Sequence, residues 1–379
     1  MQGGVILKRL IYVVTCIMFI FSSIVFAEEA TTDTNAVSAT PQKFSISEAI
    51  AYAKEHNYKI LLSKIDDEIM KKDKQNAEDT QDLANDLYKE TKNNDNFSNY
   101  KTRAGYNTQM VKNQARMLVL QNKQTELSLE VSVETAYYAL SEKKLTYDTK
   151  KRTLEQIKRQ SDVASKKLEL GDISELTYKN VMLEKGTAEV ALMNAESEYK
   201  KAKMDFNQAL GLPLFEEVTL TDEITYITYK VPTFDDKLVN LKENNTAYVQ
   251  NLRDKELLDF ETRLMRTYYG YKSNQYKQIV LKGEQNEINF NHSMEMMEYN
   301  LILDIIKLNI SARNIDLDIE SKEISKLTLE AAKMKYSEGL ISEMDMISAE
   351  LEYQNAELKY IKEVHSYKTE VLRFEKNVE

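Results

Sequence analysis

Gly171-Asp172-Ile173-Ser174-Glu175-Leu176 is followed 168 residues later by Gly339-Leu340-Ile341-Ser342-Glu343-Met344. At that offset, without a gap, Leu183/Leu351, Glu184/Glu352, Ala188/Ala356, Glu189/Glu357, Tyr199/Tyr367, Lys200/Lys368 and Phe206/Phe374 are identical as well. With the four identities inside the quoted segment, eleven of thirty-six positions match. Upstream, Ile50 and Lys54-Glu55-His56-Asn57 pair with Leu238 and Lys242-Glu243-Asn244-Asn245 at an offset of 188. The second copy is therefore 20 residues shorter between the two landmarks. Self-similarity of this kind marks a duplicated supersecondary unit.

The quoted segment is a reversal. From about Tyr106 to Leu170 there is neither Gly nor Pro, and that much helix would extend roughly 95 Å at 1.5 Å per residue. Gly171 and Gly339 supply the left-handed position that ends a helix, and Ser174 and Ser342 can cap the next one. Each copy is expected to be a very long antiparallel helical hairpin. The returning helix carries a seven-residue pattern, with Val181, Ala188, Ala195, Ala202 and Ala209 in one row and Leu192, Tyr199 and Phe206 four residues on. Tyr353, Tyr360, Tyr367 and Phe374 hold the second row in copy two. Small-against-large heptad rows are read as knobs-into-holes packing rather than as a ligand site.

Composition agrees. The 379 residues include nine Gly and three Pro, where average usage would give about 27 and about 19. Sheet-rich folds and Gly-rich nucleotide cradles are excluded, because both need positive φ and chain reversals. A hydrophobic content of 42% supports a core, and the net charge of −10 argues against a nucleic-acid partner.

Lys8-Arg9 precede an apolar run from Leu10 to Ala27 that ends in Val25-Phe26-Ala27. This reads as a signal peptide over 1–27, with an uncleaved anchor as the alternative. Cys16 lies within it and has no lipoprotein context, so the exported chain would have no thiol. Residues 28–43 read as a flexible tether. Repeat 1 is assigned to 44–213, with Ser47 as its first cap and helix continuing to about Tyr88, and repeat 2 to 235–379. Between the repeats, 214–234 is β-branched and aromatic, and reads as an extended linker with one or two short strands.

The duplicated Gly-x-Ile-Ser-Glu signature, the Leu-Glu, Ala-Glu, Tyr and Phe that follow it, the Ser47-Glu48-Ala49-Ile50 opening and the Gly211-Leu212-Pro213-Leu214 ending resemble the TolC-type outer-membrane efflux family over roughly residues 44–379. The resemblance implies a homotrimeric α-helical barrel acting as the passive exit duct of an export system. It also implies that the hairpin tips, Gly171, Asp172, Ile173 and Ser174 with Gly339, Leu340, Ile341 and Ser342, dock a periplasmic-type adaptor. That adaptor would serve an ABC or proton-driven pump. Asp345 falls where family members place an entrance aspartate, but Ser348 stands in place of the second acid and Thr177 is the copy-one counterpart. The simpler reading of Asp345 and Ser342 is stabilisation of a helix N-terminus.

One departure stands out. Family members carry membrane strands between the first two long helices of each copy, and such strands need about 9–11 residues each. Copy one offers only the polar stretch from Thr91 to Gly105. Copy two offers Tyr276–Leu281 and Asn286–Phe290 around Lys282-Gly283-Glu284-Gln285, a short hairpin or equally a helix. Little or no barrel is expected. The location implied is the cell envelope, at an outer membrane or equivalent site.

No His-Glu-x-x-His, Cys-x-x-Cys, Gly-x-Gly-x-x-Gly or Walker sequence occurs. No catalytic, cofactor or metal residue is assigned. The competing reading is a pore-less helical envelope spacer or adaptor, and a soluble enzyme ranks third.

Overall fold

The structure is a computed structural model, and it describes residues 41–91, 96–222 and 225–377. The expected signal peptide, and the tether up to Thr40, lie outside the described residues. The chain is mainly α, built as two copies of one long helical hairpin. Copy one comprises β1 (Gln42–Phe44), α1 (Ile46–His56), α2 (Tyr58–Thr91), α3 (Phe97–Arg103), α4 (Tyr106–Glu169) and α5 (Glu175–Leu210). After β2 (Val218–Leu220), copy two comprises α6 (Phe234–Asn244), α7 (Thr246–Tyr269), α8 (Asn274–Ser337) and α9 (Glu343–Lys376).

The two long helices, α4 and α8, have 64 residues each, about 96 Å at 1.5 Å per residue. The 20-residue difference between copies lies wholly at the end away from the tips. Half of it is helix, since α2 has 34 residues and α7 has 24. The other half is the connection that follows, 92–105 in copy one against 270–273 in copy two. Among the described residues the only strands are β1 and β2, three residues each. The stretch 276–290 is continuous helix within α8. Neither copy has room for a membrane strand pair in its connection.

Each long helix is lined by two shorter ones laid end to end. On the tip side the packing order is α5–α4–α9–α8, and on the far side α2–α4–α7–α8. The heptad rows pack as expected from their alternation. Ala188, Ala195, Ala202, Phe206, Tyr367 and Phe374 are buried. Phe206 and Phe374, equivalent by the repeat, are each met edge-on by a ring from the segment entering that copy, Phe44 at 6.3 Å and Tyr229 at 6.3 Å. The copies join along α4 and α9, where Tyr138 stacks on His365 at 5.5 Å and Lys376 donates to Glu130 at 2.7 Å.

Several boundaries differ from the sequence reading. The first cap is Ser45, not Ser47: Ser45 accepts from the Glu48 amide while Glu48 accepts from the Ser45 amide at 2.8 Å, a reciprocal capping box. The first helix breaks at Asn57, whose side chain accepts from the Lys59 amide at 2.9 Å and donates to the Ala209 carbonyl at 2.8 Å. Asn245, its repeat partner, makes the same break and accepts from the Tyr248 amide at 2.8 Å. Gln42 and Lys43, read as tether, form β1, which pairs in parallel with β2 of the linker. Within 225–233 no strand forms; Tyr226 and Tyr229 instead pack on the α8–α9 core. A short helix, α3, occupies part of the stretch from Thr91 to Gly105.

Candidate functional site: hairpin tips and open edges

The two tips are built from the same local chemistry. At the end of α4 the Gly171 amide donates to Leu168 at 3.0 Å and the Asp172 amide to Lys167 at 2.8 Å. At the end of α8 the Gly339 amide donates to Tyr336 at 2.9 Å and the Leu340 amide to Lys335 at 2.8 Å. Both are Schellman closures, with the glycine at φ +76° and +71°. A Cβ at either glycine would meet nothing within 4 Å, so only the left-handed backbone requires glycine there.

Ser174 then accepts from the Thr177 amide at 3.1 Å, and Ser342 from the Asp345 amide at 3.2 Å. The Asp345 carboxylate accepts from the Ser342 amide at 3.1 Å and the Ser342 hydroxyl at 2.8 Å, completing a capping box. Thr177 instead shares a hydroxyl contact with Ser174 at 2.9 Å. Ser348 donates back to the Met344 carbonyl at 3.0 Å. Asp345 thus already stabilises its own helix start, and Ser348 points its hydroxyl at its own backbone.

The tips lie at one end of the protomer, because Gln156, near the end of α4, donates to Glu350, early in α9, at 2.8 Å. Ile341 packs against Leu329, Ala332 and Ala349, fixing the second turn to its hairpin. Around these turns the chain leaves large apolar side chains in the open: Leu170, Leu176 and Leu340 are 76%, 70% and 68% exposed. Leu170 and Leu176 were not singled out in the sequence, since a leucine beside a turn reads as core.

The other open surfaces are the two edges of the helix array. On α8, Met296, Leu303, Ile310, Leu317 and Ile324 recur every seven residues and all are exposed, with Tyr299, Ile306, Leu327 and Met334 beside them. On the opposite edge, α5 exposes Leu176, Leu183 and Val190, again at seven-residue spacing, and α2 exposes Leu62, Ile65, Ile69 and Leu83. Among the described residues, no helix of the chain covers these apolar rows. The heptad on α8 was present in the sequence, but solvent exposure is what separates a seam from a core row. Between α6, α8 and α9 lies an open groove of about 790 Å³ lined in part by Lys237, Met297 and Glu370. Burial depresses the Lys237 amine, which donates to the Phe374 carbonyl.

Among the described residues no three His, Cys, Asp or Glu side chains gather as a metal site, and no helix is long and apolar enough to cross a membrane.

No family model matches the chain, and no curated protein matches it. Solved structures do match in fold. The Campylobacter jejuni CmeC outer membrane channel aligns over 88% of this chain and 85% of its own, at 11% identity and a TM-score of 0.61. CusC, described with its transmembrane channel formation, aligns over 88% and 91%, at 10% identity and 0.63. The open state of the Neisseria gonorrhoeae MtrE outer membrane channel aligns over 88% and 88%, at 10% identity and 0.57. The fold is therefore that of these outer membrane channels, a TolC-like array of long helical hairpins. Among the described residues, the connections at the end away from the tips hold no strand.

Proposed function

We propose that the chain is the protomer of a TolC-like duct, three copies of which close side by side into a helical barrel that gives cargo a passive exit from the cell envelope. The observation that carries this reading is the pair of unpartnered apolar edges. An array whose left and right edges differ cannot satisfy both by two-fold pairing; head-to-tail closure into a ring can. Burying one exposed leucine or isoleucine contributes about 1.5–3 kcal/mol, so seams of this length would hold a ring firmly.

In this reading the tips, Gly171 to Ser174 and Gly339 to Ser342, form the inner mouth. Their exposed leucines meet a periplasmic-type adaptor of an ABC or proton-driven pump. Asp345, Ser348 and Thr177 line the approach to that mouth. The chain itself does no chemistry.

Light scattering on the chain from Glu28 should report a trimer, and Ile310→Glu with Leu317→Glu should reduce it to monomer while helical content is kept. A wild-type monomer at micromolar concentration would refute ring closure. It would favour the second reading, a pore-less helical spacer, which the short distal connections support. Leu170→Ser with Leu340→Ser should abolish pump-dependent export with trimer retained.

A further inference from the structure

The end of the protomer opposite the tips departs from the charge pattern of the rest of the chain. It is made by the end of α2, which carries Glu78, Asp79, Asp82, Asp86 and Glu90 beside Lys89, together with α3, the start of α4, the end of α7, the turn at 270–273 and the start of α8. Residues 96–116 and 262–283 contain nine Lys or Arg and no Asp or Glu. At the overall frequency of 61 acids in 379 residues, those 43 positions would hold about seven. Lys101 is answered by Glu261 at 2.5 Å and Lys112 by Glu78 at 3.4 Å, and the Arg103 guanidinium lies 3.5 Å from the centre of the Tyr88 ring. Arg263, Arg266, Lys272, Lys277 and Lys282 are exposed and take no ion pair among the described residues. The first turns of α3, α4 and α8 carry no acidic residue, so the positive ends of those helix dipoles are not offset.

Aromatic rings are gathered in the same place. Phe97 packs on Tyr268 at 5.3 Å and on Tyr269 at 5.1 Å, Tyr100 packs on Tyr268 at 5.4 Å, and Tyr268 meets Tyr269 edge-on at 4.7 Å. Tyr271 projects from the turn at 64% exposure, with the Lys272 amine 5.7 Å from its ring. Leu281, two turns into α8, is 63% exposed.

We propose that this end is a peripheral foot that docks on anionic lipid headgroups. Tyrosines have an apolar body and a polar tip, which suits the headgroup layer. Each Lys or Arg held near an anionic leaflet strengthens partition about five-fold. The remainder of the chain is acidic, with a net charge of −10 overall. Outside 96–116 and 262–283 the chain carries 42 of its 51 Lys or Arg against all 61 of its Asp or Glu, so a negatively charged surface repels it on balance while attracting these two stretches. A soluble phosphate polymer would use the cations but leave the rings in water, and the exposed Tyr271 and Leu281 favour a lipid surface.

The probe is the chain from Glu28 sedimented with vesicles of phosphatidylcholine alone or with one-third phosphatidylglycerol. Binding is expected to the anionic vesicles only. It should weaken at least ten-fold on moving from low to high salt, and at least ten-fold in Arg266→Glu, Lys272→Glu, Lys277→Glu combined. Lys166→Glu with Lys167→Glu, at the tip, should bind as wild type. Equal binding to neutral vesicles, no vesicle binding, an unaffected triple variant, or capture of soluble polyphosphate without vesicles would each overturn the proposal. The proposal does not rest on ring closure. Light scattering of the same samples separates the two: a monomer that still bound anionic vesicles would refute the ring and keep the foot, and a trimer that bound none would do the reverse.

Discussion

His365 offers a direct test of how the two copies are held together. It lies on α9, 5% exposed, and stacks on Tyr138 of α4 with rings 5.5 Å apart and 20° from parallel. Burial, reinforced by the Lys368 ammonium, lowers its pKa from 6.5 to about 4. Glu134, which accepts from the Tyr138 hydroxyl, and Lys368, whose amine burial also depresses, complete its surroundings. The folded protein therefore holds this imidazole neutral over a range in which the unfolded chain protonates it. Stability from this site is fully present above the unfolded pKa of 6.5 and is lost as pH falls toward the folded value of about 4. A shift of that size corresponds to about 3 kcal/mol in full, with about 2 kcal/mol already lost by pH 5. Urea unfolding of wild type and His365→Phe between pH 7.5 and 4.5 isolates the contribution, since carboxylate titration is common to both and the stacked ring is kept. The variant should lose about 2–3 kcal/mol less than wild type over that range. Parallel pH curves would refute the argument that the neutral imidazole is locked in the joint between copies.

Two further substitutions probe the architecture. Gly211 ends α5 at φ +84°, and an added Cβ would sit 2.7 Å from the His56 carbonyl oxygen; Gly211→Ala should cost about 3–5 kcal/mol, against about 1–2 kcal/mol for Gly171→Ala or Gly339→Ala, where only the backbone strain applies. Chemical denaturation of the three variants makes the comparison, and equal losses would deny the close approach. The buried Tyr137 hydroxyl accepts from the Thr221 amide at 3.1 Å and the Asp222 amide at 2.8 Å, and donates to the Phe44 carbonyl at 3.2 Å. Tyr137→Phe should destabilise by about 1–2 kcal/mol and speed amide exchange at Asp222, because it removes the acceptor of that amide, whereas the Thr221 amide keeps the Phe44 carbonyl at 3.0 Å.

The positions of the glycine breakers were legible because they are local. Gly171 and Gly339 lie at the two tips and Gly211 ends copy one, whereas the breaks at Asn57 and Asn245 escaped the sequence reading, which ran the first helix on to about Tyr88. At the first cap, two serines two positions apart, Ser45 and Ser47, compete for the same role. Ser45 prevails because Glu48 stands three positions beyond it and returns the hydrogen bond. The β-branched run 224–229 looked like a strand, yet Tyr226 and Tyr229 pack on a helical core instead. The apolar heptad on α8 was equally visible in the sequence, but periodicity states only that a face is apolar, not whether another helix of the same chain covers it.

The sequence by itself determined that this protein is a duplicated helical hairpin, where each copy turns, and that its distal connections are too short for a barrel. Those properties follow from residue spacing, glycine placement and chain length, which act within a few turns of backbone. Only the tertiary structure decided which apolar rows are core and which are open edges, and that the cations and rings of two segments about 160 residues apart meet at one end. Such outcomes depend on packing between distant segments. Burial and local charge are properties of the assembled surface, and one strand of sequence does not contain them.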